Sequence, residues 1–290
     1  MRLTKRTITI LGGDKRSVYL AEMFKQDSYD VTTFGFDEEV HNCKRAENLQ
    51  AAMDGAPILI GPLPFANKVG NLNAPLCNEK IAIDHIINEM KNDQILFGGH
   101  IEKKWMEKAS KANVRMVDYF HDEALQVKNA IPTAEGTIQL VMEKLPTTIH
   151  GANIIVLGFG RIGKVLAHLF RQMGANVSVG ARKSADFAWI TQAGYRPIHI
   201  SEMATIFQEM DVIVNTIPVQ IVGMSKLVNI RKDALLIDVA SHPGGIDLEA
   251  AKTLHVTPLQ ALGLPGKVAP KSAAKYMKET IENAMKKLEG

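Results

Sequence analysis

Short apolar blocks alternate along this chain with stretches whose apolar residues recur at helical spacing. Blocks rich in Ile, Val and Leu and closed by Gly, Pro or Asn read as buried strands, and the stretches between them as helices. In the first half the strands are Thr7–Leu11, Val31–Phe34, Ile58–Gly61, Ile95–Phe97 and Val114–Val117. A helix follows Gly12-Gly13-Asp14-Lys15-Arg16 and runs through Phe24. Further helices occupy about 79–91 and about 102–112. Pro62 to Pro75, with its Gly, Asn and Pro, reads as a loop. A helix over Thr133–Lys144 is opened by Pro132, since proline suits a first helical turn. Beyond Gly151 come apolar runs from Ile154, at Ala175–Gly180, at Val212–Thr216, at Ala234–Asp238 and at Val256–Leu259. Lys271–Leu288 closes the chain as a charged amphipathic helix.

Repeated strand–helix alternation predicts parallel sheets covered on both faces. The expected fold is α/β, with two Rossmann-like doubly wound parallel-sheet domains and an inter-domain cleft, where ligands of open α/β sheets bind. The first domain spans 1–130 and takes the substrate role, and the C-terminal helix 271–290 can cross back to it. The second spans 131–270 and carries the cofactor.

The densest chemical signal is Ile154-Ile155-Val156-Leu157-Gly158-Phe159-Gly160-Arg161-Ile162-Gly163, followed by helical spacing through Phe170. Strand, glycine turn and helix together form the phosphate-binding corner of a dinucleotide fold. Gly158 permits the tight turn, Gly160 lets the backbone approach a diphosphate, and Gly163 lets the helix pack against the strand. Arg161 and Ile162 open a helix whose unpaired N–H groups and partial positive charge face the anion. Taken alone, such a motif is also compatible with a purely structural turn.

An NAD-binding chain usually carries Asp or Glu at the end of the next strand, about 20 residues after the first glycine. Here the sequence reads Gly180-Ala181-Arg182-Lys183-Ser184. A carboxylate would repel a ribose 2′-phosphate. Arg182 grips one bidentately, Lys183 adds charge and Ser184 donates a hydrogen bond, so the expected cofactor is NADP. The alternative is that Arg182 and Lys183 form a solvated surface turn.

Composition narrows the class. At 290 residues and 46% hydrophobic content, the chain is long enough for two cores. A net charge of +3, with no basic tract, suits small anions better than nucleic acid. Cys43 and Cys77 belong to no ligand pattern, so no metal site is expected and a reducing cytoplasm is the default compartment. The stretch Met1–Arg6 lacks the apolar core of a signal peptide, and no apolar run approaches membrane length.

Other candidates sit where strands end. Thr216-Ile217-Pro218 is placed to touch the adenosine–ribose side of a cofactor, or merely ends its strand. Ala240-Ser241-His242-Pro243-Gly244-Gly245 brings backbone close to the nicotinamide or the substrate, with His242 as acid–base or carboxylate-binding group, or as a structural histidine. Gly263-Leu264-Pro265-Gly266 makes a further close approach near the nicotinamide, with Lys267 beside it as a substrate contact or a solvated helix start. In the first domain, Gly13 and the helix start supply N–H donors and Arg16 a fork for a substrate carboxylate; Asp14 joins them or caps the helix. Thr133, a candidate substrate contact, and Glu135 lie next to the inter-domain crossing. Glu135, in the first turn of its helix, is a candidate base or a cap.

Four segments together, Ile131-Pro132-Thr133-Ala134-Glu135-Gly136-Thr137-Ile138, Asn215-Thr216-Ile217-Pro218, Asp238 to Gly245 and Leu262 to Lys271, resemble in order and spacing the A-subunit family of dipicolinate synthases from spore-forming bacteria. The resemblance covers the whole chain, including Gly12-Gly13-Asp14. It implies NADP-dependent oxidation of dihydrodipicolinate, a small dicarboxylate, to dipicolinate, the last step of dipicolinic acid synthesis. It also implies a partner, the flavoprotein-like B-subunit of the synthase, together with a homo-oligomer and the mother-cell cytoplasm of a sporulating bacterium. The second domain is similar to those of alanine and 2-hydroxyacid dehydrogenases. Where Ser-Arg-Pro-Gly-Gly is common in the family, this chain has His242 in place of the arginine. Alternatives are an NADP-dependent imino-acid or 2-hydroxyacid reductase, and a non-catalytic NADP-binding regulatory subunit.

Overall fold

The computed structural model describes residues 7–289; the stretch Met1–Arg6 and Gly290, which closes the expected C-terminal helix, lie outside the described residues. The chain divides into two compact units. One runs to Asn129 and takes in the segment from Ala269 onward, and the other is Ala130–Val268.

Each unit holds one six-stranded, all-parallel sheet. The first contains β1 (Thr7–Leu11), β2 (Asp30–Phe34), β3 (Lys44–Arg45), β4 (Ile58–Ile60), β5 (Ile95–Gly98) and β6 (Arg115–Asp118), in the order β3-β2-β1-β4-β5-β6. The second contains β7 (Asn153–Leu157), β8 (Asn176–Ala181), β9 (Arg196–His199), β10 (Val212–Asn215), β11 (Leu235–Asp238) and β12 (Leu259–Gln260), in the order β12-β11-β10-β7-β8-β9. Both orders reverse beside their first strand, between β1 and β4 and between β7 and β10. Ligands of open α/β sheets bind at such points, outside the carboxyl ends of the strands.

The central strand of the second sheet shows why the pattern was readable. Ile154 to Leu157 are all fully buried. Ile154 and Val156 pack with Leu166, Ala167 and Phe170 of the helix Arg161–Gln172, while Ile155 and Leu157 pack with Met203, Phe207 and Ala251 on the other face. A parallel strand covered on both faces must be apolar throughout.

Several elements differ from the sequence expectation. The helix expected to start at Thr133 spans Glu123–Lys144, with Pro132 inside it. Asp122 caps it, its carboxylate accepting from the Leu125 N–H at 2.9 Å. Proline forfeits one backbone bond, but Leu125, Ala130, Ala134 and Val141 are all buried along this helix, and that burial outweighs the lost bond. Glu135 therefore lies about three turns inside the helix rather than in its first turn, exposed and beyond the reach of the N-terminal dipole. The last strand begins at Leu259 rather than Val256, because Pro258 has no N–H to give the ladder. The edge strands β3 and β9 carry polar or charged residues and left no apolar block; β9 also holds Pro197, which an edge tolerates.

Candidate dinucleotide site

The chain turns sharply at the carboxyl end of β7. Gly158 adopts φ +102°, a conformation that side chains resist. Its N–H donates to the Gly180 carbonyl at 2.8 Å. Gly163 is enforced by packing: a Cβ there would lie 2.0 Å from the Gly158 carbonyl oxygen. Gly160 is different, since a Cβ on it would meet nothing within 4 Å. It is the N-cap of the helix Arg161–Gln172 and offers no side-chain cap. The N–H groups of the first turn thus receive no side-chain cap from Gly160 at the sheet's reversal point, where such groups suit an anion. An open cradle with a tightly packed rear wall fits the diphosphate of a dinucleotide. Arg161 is exposed beside it and Ile162 half-buried, while the Lys164 ammonium stands 5.4 Å over the Phe159 ring.

Thr216 closes the corner from β10. Its N–H and its hydroxyl both donate to the Leu157 carbonyl, at 3.0 and 2.8 Å. Ile217 is half-buried and Pro218 exposed. Ala240 is buried after β11, and Ser241 and His242 are exposed. Arg182, Lys183 and Ser184, at the end of β8, are all exposed, and no ion pair involves Arg182 or Lys183 among the described residues.

A feature the sequence did not disclose lies between these loops. Asn215 and Asp238 face each other in register at the ends of β10 and β11, at 0% and 3% exposure. The Asn215 Nδ2 donates to Asp238 Oδ1 at 2.8 Å. Nothing in either residue type signals a pair formed across 23 positions.

Beyond β12, Gly263 takes φ +68° with open space at its Cβ position. Leu264 and Pro265 are buried in the short helix Leu264–Val268, and Leu264 belongs to the core of its unit. The Leu264 side chain packs inward, which leaves the expected close approach to the backbone. Lys267 is exposed. Thr133 is buried, and its carbonyl accepts from the Thr137 hydroxyl at 2.8 Å.

The turn after β1 resolves differently from the expected carboxylate fork. Gly13 has φ +118°, and a Cβ there would sit 1.9 Å from the Ser17 hydroxyl. Asp14 caps the helix Lys15–Gln26, accepting from the Arg16 N–H at 2.9 Å. The same carboxylate takes the Arg16 Nε at 3.0 Å and Nη2 at 2.8 Å, and Nη2 also donates to the Leu63 carbonyl. Arg16 is only 6% exposed, so its fork is committed to Asp14. Nearby, Tyr119 donates to the Gly61 carbonyl at 3.2 Å, and burial pushes its phenol far above the ordinary range. Among the described residues, no group of three or more His, Cys, Asp or Glu gathers to hold a metal, and no helix is long and apolar enough to cross a membrane.

A doubly wound sheet with an open glycine corner at its reversal point defines a nicotinamide-dinucleotide-binding oxidoreductase of the dehydrogenase type. In agreement, residues 109–247 match the family model for the NAD binding domain of D-isomer specific 2-hydroxyacid dehydrogenases. Residues 7–120 match the model for the N-terminal domain of the dipicolinate synthase A-subunit. The dipicolinate synthase A-subunit of Bacillus subtilis (strain 168) is 32% identical over 295 residues, covering 99% of this chain and 98% of its own. The chain belongs to the dipicolinate synthase A-subunit family. The crystal structure of the Bacillus halodurans A-subunit superposes with a TM-score of 0.88 at 31% identity, covering 96% of this chain and 97% of that one. For the crystal structure of the Bacillus subtilis counterpart the TM-score is 0.86 at 30% identity, with 99% and 97% covered.

Proposed function

We propose that this chain is the NADP-dependent A-subunit of a dipicolinate synthase, oxidising dihydrodipicolinate to dipicolinate in concert with a flavoprotein-like B-subunit. The observation that carries this reading is the uncapped helix at Gly160 combined with a basic, acid-free end of β8. The first-turn N–H groups of Arg161, Ile162 and Gly163 receive the diphosphate. Arg182, Lys183 and Ser184 receive the 2′-phosphate, a role that their exposure supports, as does the lack of ion pairs to Arg182 and Lys183 among the described residues. Thr216, Ile217 and Pro218 border the adenosine side, and Ala240, Ser241 and Gly263 the nicotinamide side.

The bound nicotinamide supplies a hydride acceptor. The protein's share is placement and charge: the substrate carries two carboxylates, and aromatisation of its ring provides much of the driving force. We assign cofactor binding to the second unit and a substrate role to the first. Within the second unit, the exposed His242 and Lys267 are suited to a carboxylate. His242 donates one hydrogen bond where an arginine would offer a fork. Glu135, exposed in mid-helix, is retained as a candidate base.

Purified protein mixed with dihydrodipicolinate and NADP should develop nicotinamide absorbance at 340 nm, about the reduced-cofactor maximum, and simple keto acids with NADPH should give none. Turnover of keto acids alone would instead identify a reductase on the same scaffold. If the flavoprotein-like partner makes dipicolinate unaided and this chain changes only its affinity, the chain is regulatory.

A further inference from the structure

We propose that the buried Asn215–Asp238 pair is a positioning element that sets the loops receiving the nicotinamide half of the dinucleotide; the inference rests on the dinucleotide reading above. Asp238 is 3% exposed and has no cationic partner among the described residues. A carboxylate in that position is costly unless hydrogen bonds hold it. Its partners are all N–H donors. Oδ1 accepts from Asn215 Nδ2 at 2.8 Å and from the Ala240 N–H at 3.1 Å. Oδ2 accepts from the Gly245 N–H at 2.9 Å. Asn215 is equally committed: its Nδ2 also donates to the Ile217 carbonyl at 3.0 Å, and its Oδ1 accepts from the Ile217 N–H at 3.1 Å.

Two loops leaving adjacent strands are therefore tied to one another through two side chains. The loop after β11 is gripped at both ends, at Ala240 and at Gly245, so the exposed residues Ser241 and His242 are presented from a fixed base. The loop after β10 is gripped at Ile217, one residue beyond Thr216, which donates to the Leu157 carbonyl just before the glycine corner. The two glycines are shaped to this pair. A Cβ on Gly244 would lie 2.7 Å from Asp238 Oδ2, and one on Gly245 would lie 2.2 Å from Asn215 Nδ2. Gly245 does not occupy the left-handed region, so its requirement is the closeness of the pair, not backbone conformation. The equivalent end of β7 is Leu157, an apolar residue, which shows that the sheet itself does not need polar groups there.

The pair's role is therefore to hold geometry, and the test must separate that from simple loss of structure. The probes are NADP, NAD and adenosine 2′,5′-bisphosphate, the last standing for the half that sits on the glycine corner and the end of β8. Asp238→Ala removes three acceptor contacts, so affinity for the full dinucleotides should fall about tenfold or more, while that for the bisphosphate stays within about threefold. Asp238→Asn keeps one acceptor oxygen and sets a second donor against the Gly245 N–H or the Asn215 amide, and should give a smaller loss. Gly245→Ala pushes on Asn215 without touching any carboxylate and should reproduce the pattern; it also serves if Asp238→Ala fails to fold by circular dichroism. Unchanged dinucleotide affinity in folded Asp238→Ala and Gly245→Ala, or an equal loss for all three probes, overturns the inference. Wild-type protein that binds none of the probes overturns the dinucleotide reading itself, a different result from either.

Discussion

The first strands of two sheets with the same strand order each end in a glycine-bearing turn that opens a twelve-residue helix, and the two turns are finished differently. After β7 the N-cap is Gly160, which makes no side-chain cap hydrogen bond to the helix. After β1 the N-cap is Asp14, whose carboxylate meets the first-turn N–H of Arg16 and the Arg16 guanidinium at once. One turn holds a place for an external anion; the other supplies its own, together with the matching cation. Shared topology brings a helix N-terminus to the reversal point of each sheet, and a single side chain decides whether it remains available. A glycine turn at the end of a first strand is therefore not by itself a phosphate site.

The largest expected effect comes from closing the rear wall of the open corner. In Gly163→Ala the new methyl meets the Gly158 carbonyl oxygen, a backbone atom that cannot rotate away. The strand–helix joint should be destabilised by about 3 kcal/mol or more, with dinucleotide binding lost. A thermal melt and calorimetry with NADP measure the two. A variant that melts and binds like wild type would show that the helix does not pack this closely on β7.

Asp14→Ala probes the self-capped turn. It removes a cap, worth about 1 kcal/mol, and strands a guanidinium that is only 7% exposed in its side chain, worth about 2 kcal/mol more. The expected loss of stability is measured by denaturant unfolding. The same variant frees the helix start and the Arg16 fork, so added phosphate or sulfate should recover part of the loss. Wild-type protein should show little gain from either ion at this turn. Loss without anion rescue would confine Asp14 to a structural role and remove the contrast between the two turns.

How far the sequence showed this difference depends on what each feature leaves along the chain. The strands β4, β7 and β10 were legible because burial on both faces demands apolar runs, and β1 because Ile8, Ile10 and Leu11 are buried alongside threonines. The glycine corner was legible because its parts are contiguous. The Asp14–Arg16 contact was visible as two nearby residues, but the sequence left open whether Asp14 caps or Arg16 reaches outwards; burial of the guanidinium against Leu63, 47 positions away, decided it. Pro132 misled because the forces carrying a helix through a proline come from packing, which a local signal does not report. Asn215 and Asp238 stand within the motifs that end β10 and β11 yet carry no message there, since their pairing exists only through the register of β10 on β11.

The open corner makes a sharper prediction at Gly160. Its Cβ position is free, so Gly160→Asp should fold with a melting temperature close to wild type. The new carboxylate sits at an N-cap, where it should act much as Asp14 does in the other turn, capping the helix and filling the anion's place. Dinucleotide affinity should drop by about 2 kcal/mol or more, by loss of N–H donors and by like-charge repulsion. Calorimetry with NADP reads it. Unchanged affinity would detach the ligand from this corner altogether, whatever the resemblance of the two turns.

The smallest effect concerns which dinucleotide the open corner takes. Arg182 and Lys183 follow β8 with no carboxylate between them and the strand, and both are exposed. Arg182→Asp replaces a fork for the 2′-phosphate with a charge that repels it and accepts from a ribose hydroxyl instead. Affinity for NADP should fall and that for NAD should rise, a crossing worth about 1–2 kcal/mol in their difference, since the site is exposed and partly screened. The drop for NADP should shrink in high salt, whereas the loss in Gly160→Asp, seated at a fixed helix start, should persist. Equal dissociation constants for both dinucleotides in wild type and variant would leave the basic pair as a solvated turn and place cofactor choice elsewhere in the second unit.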